Sequence, residues 1–479
     1  MSDLTALPTR RREPRDGDGG AGGGATRPID HLFLVLEGAR PLGGGARWSL
    51  EGVDEVRIRR GSTRGATREV EDGRNVLSIK VPDTLLSSKH ARLVRGASGF
   101  TLVDDKSTNG TFIDGEKIEA RALADGTCFE VGAAHFVFRS ALPTPASTPV
   151  DVESESLVGR GHGIASLVPE YADELAKLAR VAQSTLSILF LGESGAGKEV
   201  LAGAAHRLSG REGPFVPVNC AALTATLMES QLFGHTKGAF SGALRDEPGF
   251  VRASDGGTLF LDEIGDLPAP SQAALLRVLE AREVVPVGST KAIPVDLRVV
   301  SATLKSADSL RPDLRARLAG FTHHLLPLRE RIEDLGVVLA ELLPRALGDR
   351  AKTTTLTPEA GRALLAHDWP LNVRELNQAL GVAIALAKDG TLDEKDLPAS
   401  VRATKEEEAP EAPAPRPLPA PATPRAIPDD EGSLRALLVA TLQESNGNVS
   451  DVSRVLGKTR MQIHRWMKRF EIDPETFRR

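Results

Sequence analysis

The stretch Leu191-Gly192-Glu193-Ser194-Gly195-Ala196-Gly197-Lys198-Glu199 constrains this chain more than any other. An apolar run, 186–191, enters it, and a helix-compatible segment, 199–207, leaves it. Strand, glycine loop and helix in that order let backbone N–H groups face a phosphate without a clashing Cβ. The helix N-terminus adds favourable partial positive charge. The candidate phosphate ligands are therefore Gly192, Glu193, Ser194, Gly195, Ala196, Gly197, Lys198 and Glu199, with Lys198 able to reach the outer phosphates. Glu199 departs from the general pattern, because it stands where Ser or Thr usually touches magnesium.

At 479 residues the chain is too long for one core, and three or four domains are expected. Hydrophobic residues make up 41% and charged residues 26%, so most of the chain should fold. The net charge of −5 excludes a protein that is basic as a whole, so any nucleic-acid contact must be local. Cys128 and Cys220 are far apart and make neither a disulfide framework nor a zinc set, which fits a reducing, cytoplasmic setting. No apolar stretch reaches about 18 residues, so no transmembrane helix is expected. Arg10, Arg11 and Arg12 precede a glycine run and not an apolar segment, so residues 1–30 read as a disordered tail and not a signal peptide.

From 31 to 139 the pattern is one of short β-like runs separated by Gly, Asp and Asn, which predicts a β-sandwich. Within it lie Ser87-Ser88-Lys89-His90, then Ser107-Thr108-Asn109-Gly110, then Asp114-Gly115. This region resembles the forkhead-associated (FHA) domain, a phosphothreonine-peptide binder. The resemblance implies that Ser87 and an arginine hold the phosphate, Asn109 holds the peptide backbone, Thr108 adds a contact and His90 braces the loop. Arg60 follows the alternating Val56-Arg57-Ile58 run and is the favoured arginine; Arg74, in a literal Gly-Arg pair, is the alternative. Either would suit, since planar guanidinium donors match phosphate oxygens.

Residues 140–155, with Pro143, Pro145 and Pro149, read as a linker. Residues 156–402 alternate apolar runs with helical segments, an α/β pattern that ends in a helical part. Roughly sixty residues beyond the glycine loop, Gly256-Gly257-Thr258-Leu259-Phe260-Leu261-Asp262-Glu263 ends a strand in two carboxylates, a Walker B element. Asp262 would hold Mg2+ and Glu263 would activate the attacking water. Between the two motifs, Gly238-Ala239-Phe240-Ser241-Gly242-Ala243 suggests an exposed apolar tip on a flexible loop; a buried turn with Phe240 in the core is the alternative. This string resembles the GAFTGA loop of the AAA+ activators of sigma-54 RNA polymerase, with Ser241 for Thr. In that family the loop touches sigma-54, ATP and Mg2+ are bound, and the active form is a ring, typically a hexamer. Carried over, Asn219 contacts Glu263, Arg311 and Arg317 act on a neighbour's nucleotide, and Arg374 in Trp369-Pro370-Leu371-Asn372-Val373-Arg374 lies on the nucleotide, with Leu371 for the usual Gly. Leu326-Pro327-Leu328-Arg329-Glu330-Arg331 also follows the family order. Leu304 stands where the family has an Asn that senses the γ-phosphate, leaving Thr303 beside it.

Residues 403–432 are rich in Pro, Ala and Glu, a semi-stiff linker. Residues 433–479 read as three short helices. Their spacing resembles the Fis-type helix–turn–helix. Arg460, Gln462, Arg465, Lys468 and Arg469 are the candidate DNA contacts, by phosphate attraction and base-edge reach.

The expected architecture is thus multidomain: an FHA β-sandwich, an α/β AAA+ P-loop ATPase with a helical lid, and an all-α helix–turn–helix module. The function this implies is ATP-driven activation of sigma-54 RNA polymerase holoenzyme from upstream promoter DNA. In this reading the FHA domain takes the place of a receiver domain and couples activity to a Ser/Thr kinase or its phosphothreonine product, a two-component-like arrangement. The alternative, motivated by Leu304, is a hydrolysis-impaired phosphopeptide adaptor on DNA.

Overall fold

The computed structural model describes residues 26–157, 163–224, 227–304, 310–402 and 431–445, with scattered positions between 452 and 476. The chain divides into two compact units, 1–405 and 406–479. Among the described residues, no helix is long and apolar enough to cross a membrane.

The first unit opens with thirteen strands. They are β1 (Thr26–Glu37), β2 (Ala46–Ser49), β3 (Glu55–Arg60), β4 (Gly65–Glu71), β5 (Arg74–Val81), β6 (Ala91–Gly96), β7 (Gly99–Asp104), β8 (Thr111–Ile113), β9 (Glu116–Ile118), β10 (Ala120–Ala122), β11 (Cys128–Val131), β12 (Ala134–Pro145) and β13 (Asp151–Glu153). One sheet has the order β13-β2-β1-β12-β11-β8-β9 and the other β10-β7-β6-β3-β5-β4. Period-two alternation sends Val56 and Ile58 of β3 inward, where they meet Leu32, Leu34, Trp48 and Phe136 from the facing sheet. This is the expected sandwich.

The segment 140–155 departs from the expectation of a linker. The strand β12 runs on to Pro145, with Pro143 opposite Pro28 of β1, and β13 adds to the sheet edge against β2. Proline cannot donate to a ladder, but it is tolerated where the N–H would point away from the partner. The buried Arg47 guanidinium then fastens the exit of the sandwich, donating to the carbonyls of Leu167 (2.8 Å) and Pro149 (2.9 Å).

The α/β part follows with α1 (Pro169–Ala182), β14 (Ile188–Leu191), α2 (Lys198–Leu208), β15 (Phe215–Asn219), α3 (Met228–Phe233), α4 (Gly249–Ala253), β16 (Thr258–Asp262), α5 (Ala269–Ala281), the short β17 (Glu283–Val284) and β18 (Ile293–Pro294), β19 (Arg298–Thr303), α6 (Pro312–Leu318) and β20 (Phe321–His324). The five-stranded sheet is parallel, in the order β15-β16-β19-β14-β20. Its central strands β16, β19 and β14 are buried almost throughout, as a parallel sheet covered by helices requires, while the edge strands β15 and β20 are partly exposed. Strand β14 lies between β19 and β20, where the chain order reverses, and the crevice beyond its C-terminal end is where such sheets bind ligands. The lid comprises α7 (Leu335–Leu347), β21 (Thr355–Leu356), α8 (Pro358–Ala366), α9 (Asn372–Leu386), β22 (Thr391–Leu392) and α10 (Ala399–Arg402).

In the second unit α11 (Glu431–Glu444) is described, and Leu438, Leu442, Val452, Leu456, Ile463 and Met467 form one apolar cluster. This is the small all-α core that the leucine spacing predicts. Arg460, Gln462, Arg465 and Lys468 lie outside the described residues. Arg469 is described, with its guanidinium carbon 5.9 Å from the Phe470 ring centroid.

Candidate functional site

The glycine loop joins β14 to the N-terminus of α2, the expected strand–loop–helix. Lys198 opens the helix and is buried. Its ammonium donates to the carbonyls of Gly192 (3.0 Å) and Glu193 (3.4 Å) and lies 3.3 Å from Glu263 Oε1. Glu199 is exposed, on the first turn of α2.

Asp262 ends β16, and Glu263 follows in a left-handed conformation, φ 51°. A non-glycine residue held there costs energy, which is a common mark of a site shaped for work. Glu263 Oε2 accepts the Leu304 N–H at 3.0 Å. Burial pushes the Asp262 carboxyl above its ordinary range, with Lys198 pulling it back. Burial also pushes the neighbouring Cys220 thiol up to about 12, helped by Asp262, so Cys220 is an inert wall of the site. A half-buried carboxylate beside a second one favours a cation. The donors are all hard oxygens, which fits Mg2+ bound through one or two carboxylates, with water and phosphate completing its shell.

Asn219 does not meet the expectation of a contact with Glu263. Its Oδ1 accepts the Ala221 N–H at 2.9 Å and caps the turn Cys220–Ala222. A short amide at a turn start bonds its own backbone two residues on, and that local bond orients the Asn219 side chain. Arg374 is placed at the loop, with Nη1 donating to Ser194 Oγ at 2.8 Å. Arg311 and Arg317, at the two ends of α6, pair with Asp313 (2.7 Å) and Glu280 (3.3 Å).

Two residues inside the quoted motifs were given no role by the sequence and prove central. Arg329 makes a two-pronged pair with Glu193 and holds that carboxyl below its ordinary range. Asn372, fully buried at φ 56°, donates through Nδ2 to Glu193 Oε2 (3.1 Å) and to the Ser194 carbonyl (3.0 Å), and its Oδ1 accepts the Leu328 N–H (2.8 Å). The Val373 N–H adds a bond to the Gly195 carbonyl at 3.1 Å. A Cβ at Gly195 would lie 2.2 Å from the Leu371 carbonyl, so only glycine lets the lid approach this closely. Beside the loop is a cleft walled by Tyr171, Ala196, Val200, Arg331, Glu341 and Val373, largely apolar and suited to a planar base. The only sequence signal for the clamp was position within a quoted string; the bonds themselves join segments more than a hundred residues apart.

The string 238–243 forms a turn. The Gly238 N–H bonds the Ala243 carbonyl at 2.9 Å, and the Ala243 N–H bonds the Phe240 carbonyl at 3.0 Å. Gly238 and Gly242 have φ of 82° and 109°, and Ala239 and Ser241 are the other small residues beside Phe240. The Phe240 side chain is 37% exposed, rests on the His235 ring at 5.0 Å and joins none of the apolar cores, so the buried-turn alternative does not hold.

At the end of the sandwich, Thr108 N–H donates to Ser87 Oγ (3.1 Å), and His90 Nδ1 accepts the Ser87 N–H (3.0 Å) while Nε2 donates to the Gly110 carbonyl (3.1 Å). Asn109 Nδ2 donates to the Leu85 carbonyl at 2.7 Å. The Arg60 N–H bonds the Ser87 carbonyl at 2.9 Å, which puts Arg60 beside this loop. Arg74 begins β5, whose other end, Val81, pairs with Arg60. Seven residue steps along β5 separate Arg74 from Val81, roughly 23 Å.

Comparison with known proteins agrees with this geometry. Residues 165–322 match the sigma-54 interaction domain, 329–414 an AAA+ ATPase lid domain, 71–132 the FHA domain and 435–470 the bacterial regulatory protein Fis family. The chain is 44% identical over 310 residues to the acetoin catabolism regulatory protein of Cupriavidus necator, covering 62% of this chain and 45% of that one. It is 41% identical to the sigma54-dependent transcriptional activator SfnR of Pseudomonas putida over 60% of this chain and 82% of that one. It is 37% identical to the transcriptional regulatory protein ZraR of Escherichia coli, over 66% and 70%. The chain belongs to the family of sigma-54-dependent transcriptional activators, with an AAA+ ATPase domain, an FHA domain and a Fis-type helix–turn–helix.

Proposed function

We propose that this protein hydrolyses ATP in a ring to remodel sigma-54 RNA polymerase closed complexes from upstream DNA, under control of phosphothreonine recognition by its FHA sandwich. The observation that carries the reading is the half-exposed Phe240 turn, held on the same α/β unit as a built nucleotide site. Lys198 and the loop 192–199 bind phosphate, Glu263 orients and deprotonates water, Asp262 holds Mg2+, and Arg374 contacts nucleotide. Mg2+ supplies charge neutralisation at the phosphates. Entering phosphate competes for the Lys198 ammonium and so frees Glu263 Oε1 for water. Arg311 and Arg317 exchange their partners Asp313 and Glu280 for a neighbour's nucleotide. Residues 238–243 touch sigma-54. DNA contacts fall to Arg460, Gln462, Arg465, Lys468 and Arg469. The chain spans less than half of one of its relatives and most of two others, so these activities and partners are inferences from the site.

Phe240→Ala is expected to abolish sigma-54 engagement with ATP turnover unchanged, because its side chain lies outside every core. A variant that still engages sigma-54 would move the contact elsewhere.

The adaptor reading rested on Leu304, which offers no side-chain hydrogen bond. Its backbone N–H nevertheless holds Glu263, and its side chain is 55% exposed. Both observations support the reading of a slow but real ATPase. Leu304→Asn is expected to raise turnover by roughly ten- to a hundredfold, the worth of one hydrogen bond to a charged group made in the transition state. Leu304→Ala should leave turnover unchanged, since the backbone bond remains. Steady-state ATPase assays separate these outcomes, and equal rates for Asn and Leu would remove the position from the sensing network.

For the sandwich, Arg60→Ala in the full chain is expected to abolish phosphothreonine-peptide binding in a titration, whereas Arg74→Ala leaves it intact. The reverse result would mean that the phosphate sits at the far end of β5.

A further inference from the structure

The outer face of the seven-stranded sheet is packed against the lid. Phe33 and Val35 of β1 and Leu142 of β12 share one apolar cluster with Leu339, Leu343 and Leu364 of α7 and α8. Polar bonds pin the two together. Arg139 pairs with Glu333, and Arg362 Nε and Nη2 each bond Glu130 at 2.6 Å. His135 Nε2 donates to the Pro358 carbonyl at 3.0 Å, and the Leu356 N–H donates to the Gly38 carbonyl at 2.7 Å.

Two helix glycines mark the closest approaches. A Cβ at Gly336 in α7 would lie 2.1 Å from the Val35 carbonyl oxygen, and one at Gly361 in α8 would lie 2.3 Å from His135 Cε1. Glycine weakens a helix relative to alanine, and here both glycines fall where the lid meets the sandwich backbone or a buried imidazole.

This interface reaches the phosphopeptide loops by direct bonds. The Asn109 amide holds the Leu85 carbonyl, and the Leu85 N–H bonds Asp83 Oδ1 at 2.9 Å. Asp83 Oδ2 accepts the Ala133 N–H at 2.7 Å. The Ala133 carbonyl accepts the Gly38 N–H at 2.8 Å, and Gly38 in turn holds Leu356 of the lid. A peptide that binds the Asn109 amide competes with the Leu85 carbonyl or pulls on the same side chain, and the Leu85 loop rests on the turn that touches the lid. On the far side, Arg331, two residues from Glu333, donates to the Ala196 carbonyl of the nucleotide loop at 3.3 Å and lines the base cleft.

We propose that phosphopeptide capture and nucleotide binding are thermodynamically linked through this sandwich–lid interface, so that each ligand changes the other's affinity. The inference rests on the phosphopeptide reading above and adds the route by which that site regulates the ATPase. Linkage is reciprocal: whatever factor nucleotide imposes on peptide affinity, peptide imposes on nucleotide affinity.

The test is calorimetric titration of the full chain with a phosphothreonine peptide selected on it from a degenerate library. Titrations run without nucleotide, with ADP and with a non-hydrolysable ATP analogue. The expected result is a change in peptide Kd of about fivefold or more between nucleotide states, mirrored in the nucleotide Kd. Gly361→Ala, which strengthens its helix and meets the His135 ring first, and Arg362→Gln, which cuts the pair with Glu130, should each retain peptide binding and shrink the shift. A wild-type peptide Kd that ignores nucleotide overturns the linkage and leaves the phosphopeptide reading standing. Failure to select any phosphopeptide overturns both. A full shift in both variants overturns this interface as the route.

Discussion

Glu263→Gln is expected to lower ATP turnover by about two to four orders of magnitude while ATP still binds, the usual worth of a positioned general base. The amide keeps the shape of the carboxylate and can still accept the Leu304 N–H through its oxygen, so the left-handed turn at Glu263 is preserved. Its other end becomes an NH2, a donor facing the Lys198 ammonium, where a carboxylate oxygen now lies at 3.3 Å. The change thus removes both the base and the partner that orders Lys198 before phosphate arrives. Nucleotide binding, which rests on the loop amides and on Lys198 itself, should persist. Steady-state turnover and equilibrium binding of a fluorescent ATP analogue check the two halves separately. Wild-type turnover in the variant would remove Glu263 from the reaction.

The second large effect falls on Asn372. Asn372→Ala deletes the donor to Glu193 and Ser194 and strands the Leu328 N–H, at about 1–3 kcal/mol for one buried unsatisfied group. It also leaves a Cβ-bearing residue without local side-chain bonds at φ 56°, worth a further ~1–2 kcal/mol. Asn372→Gly loses the same amide but adopts the turn freely. Urea denaturation should therefore rank the proteins wild type, then Gly, then Ala. Both variants should bind ATP more weakly, because the lid no longer holds the nucleotide loop. Equal stability of the Ala and Gly variants would show that the turn conformation contributes nothing. Unchanged ATP affinity in both would show that the clamp is not part of the site.

The contrast between these two residues shows what a sequence makes legible. Glu263 was readable because its chemistry is local: an apolar strand ending in two carboxylates, after a glycine loop. Asn372 was not, because its value lies in bonds to Glu193 and Leu328, set by how the lid folds back. The same division separates Arg60 from Arg74. Spacing along the chain left both open, and only the pairing of Arg60 with Val81 places one beside Ser87 and the other at the far end of β5. Asn219 shows the opposite case: its amide is placed by a local bond, Oδ1 accepting the Ala221 N–H, and the contact with Glu263 is not made in this structure. Residues 140–155 misled through their prolines, which signal a linker, yet Pro143 and Pro145 sit in β12 opposite the start of β1. The packing of the sandwich on the lid had no signature except, in hindsight, the glycines at 336 and 361.

The central claim is that nucleotide state drives the Phe240 turn onto sigma-54. It is tested most directly by capturing purified sigma-54 on the full-length protein in the presence of ADP and aluminium fluoride, a mimic of the hydrolytic transition state, with ADP alone and no nucleotide as comparisons. The account predicts capture with the mimic only, lost in Phe240→Ala. Capture that is equal in all nucleotide states, or absent in all of them from a protein that turns over ATP, would contradict it.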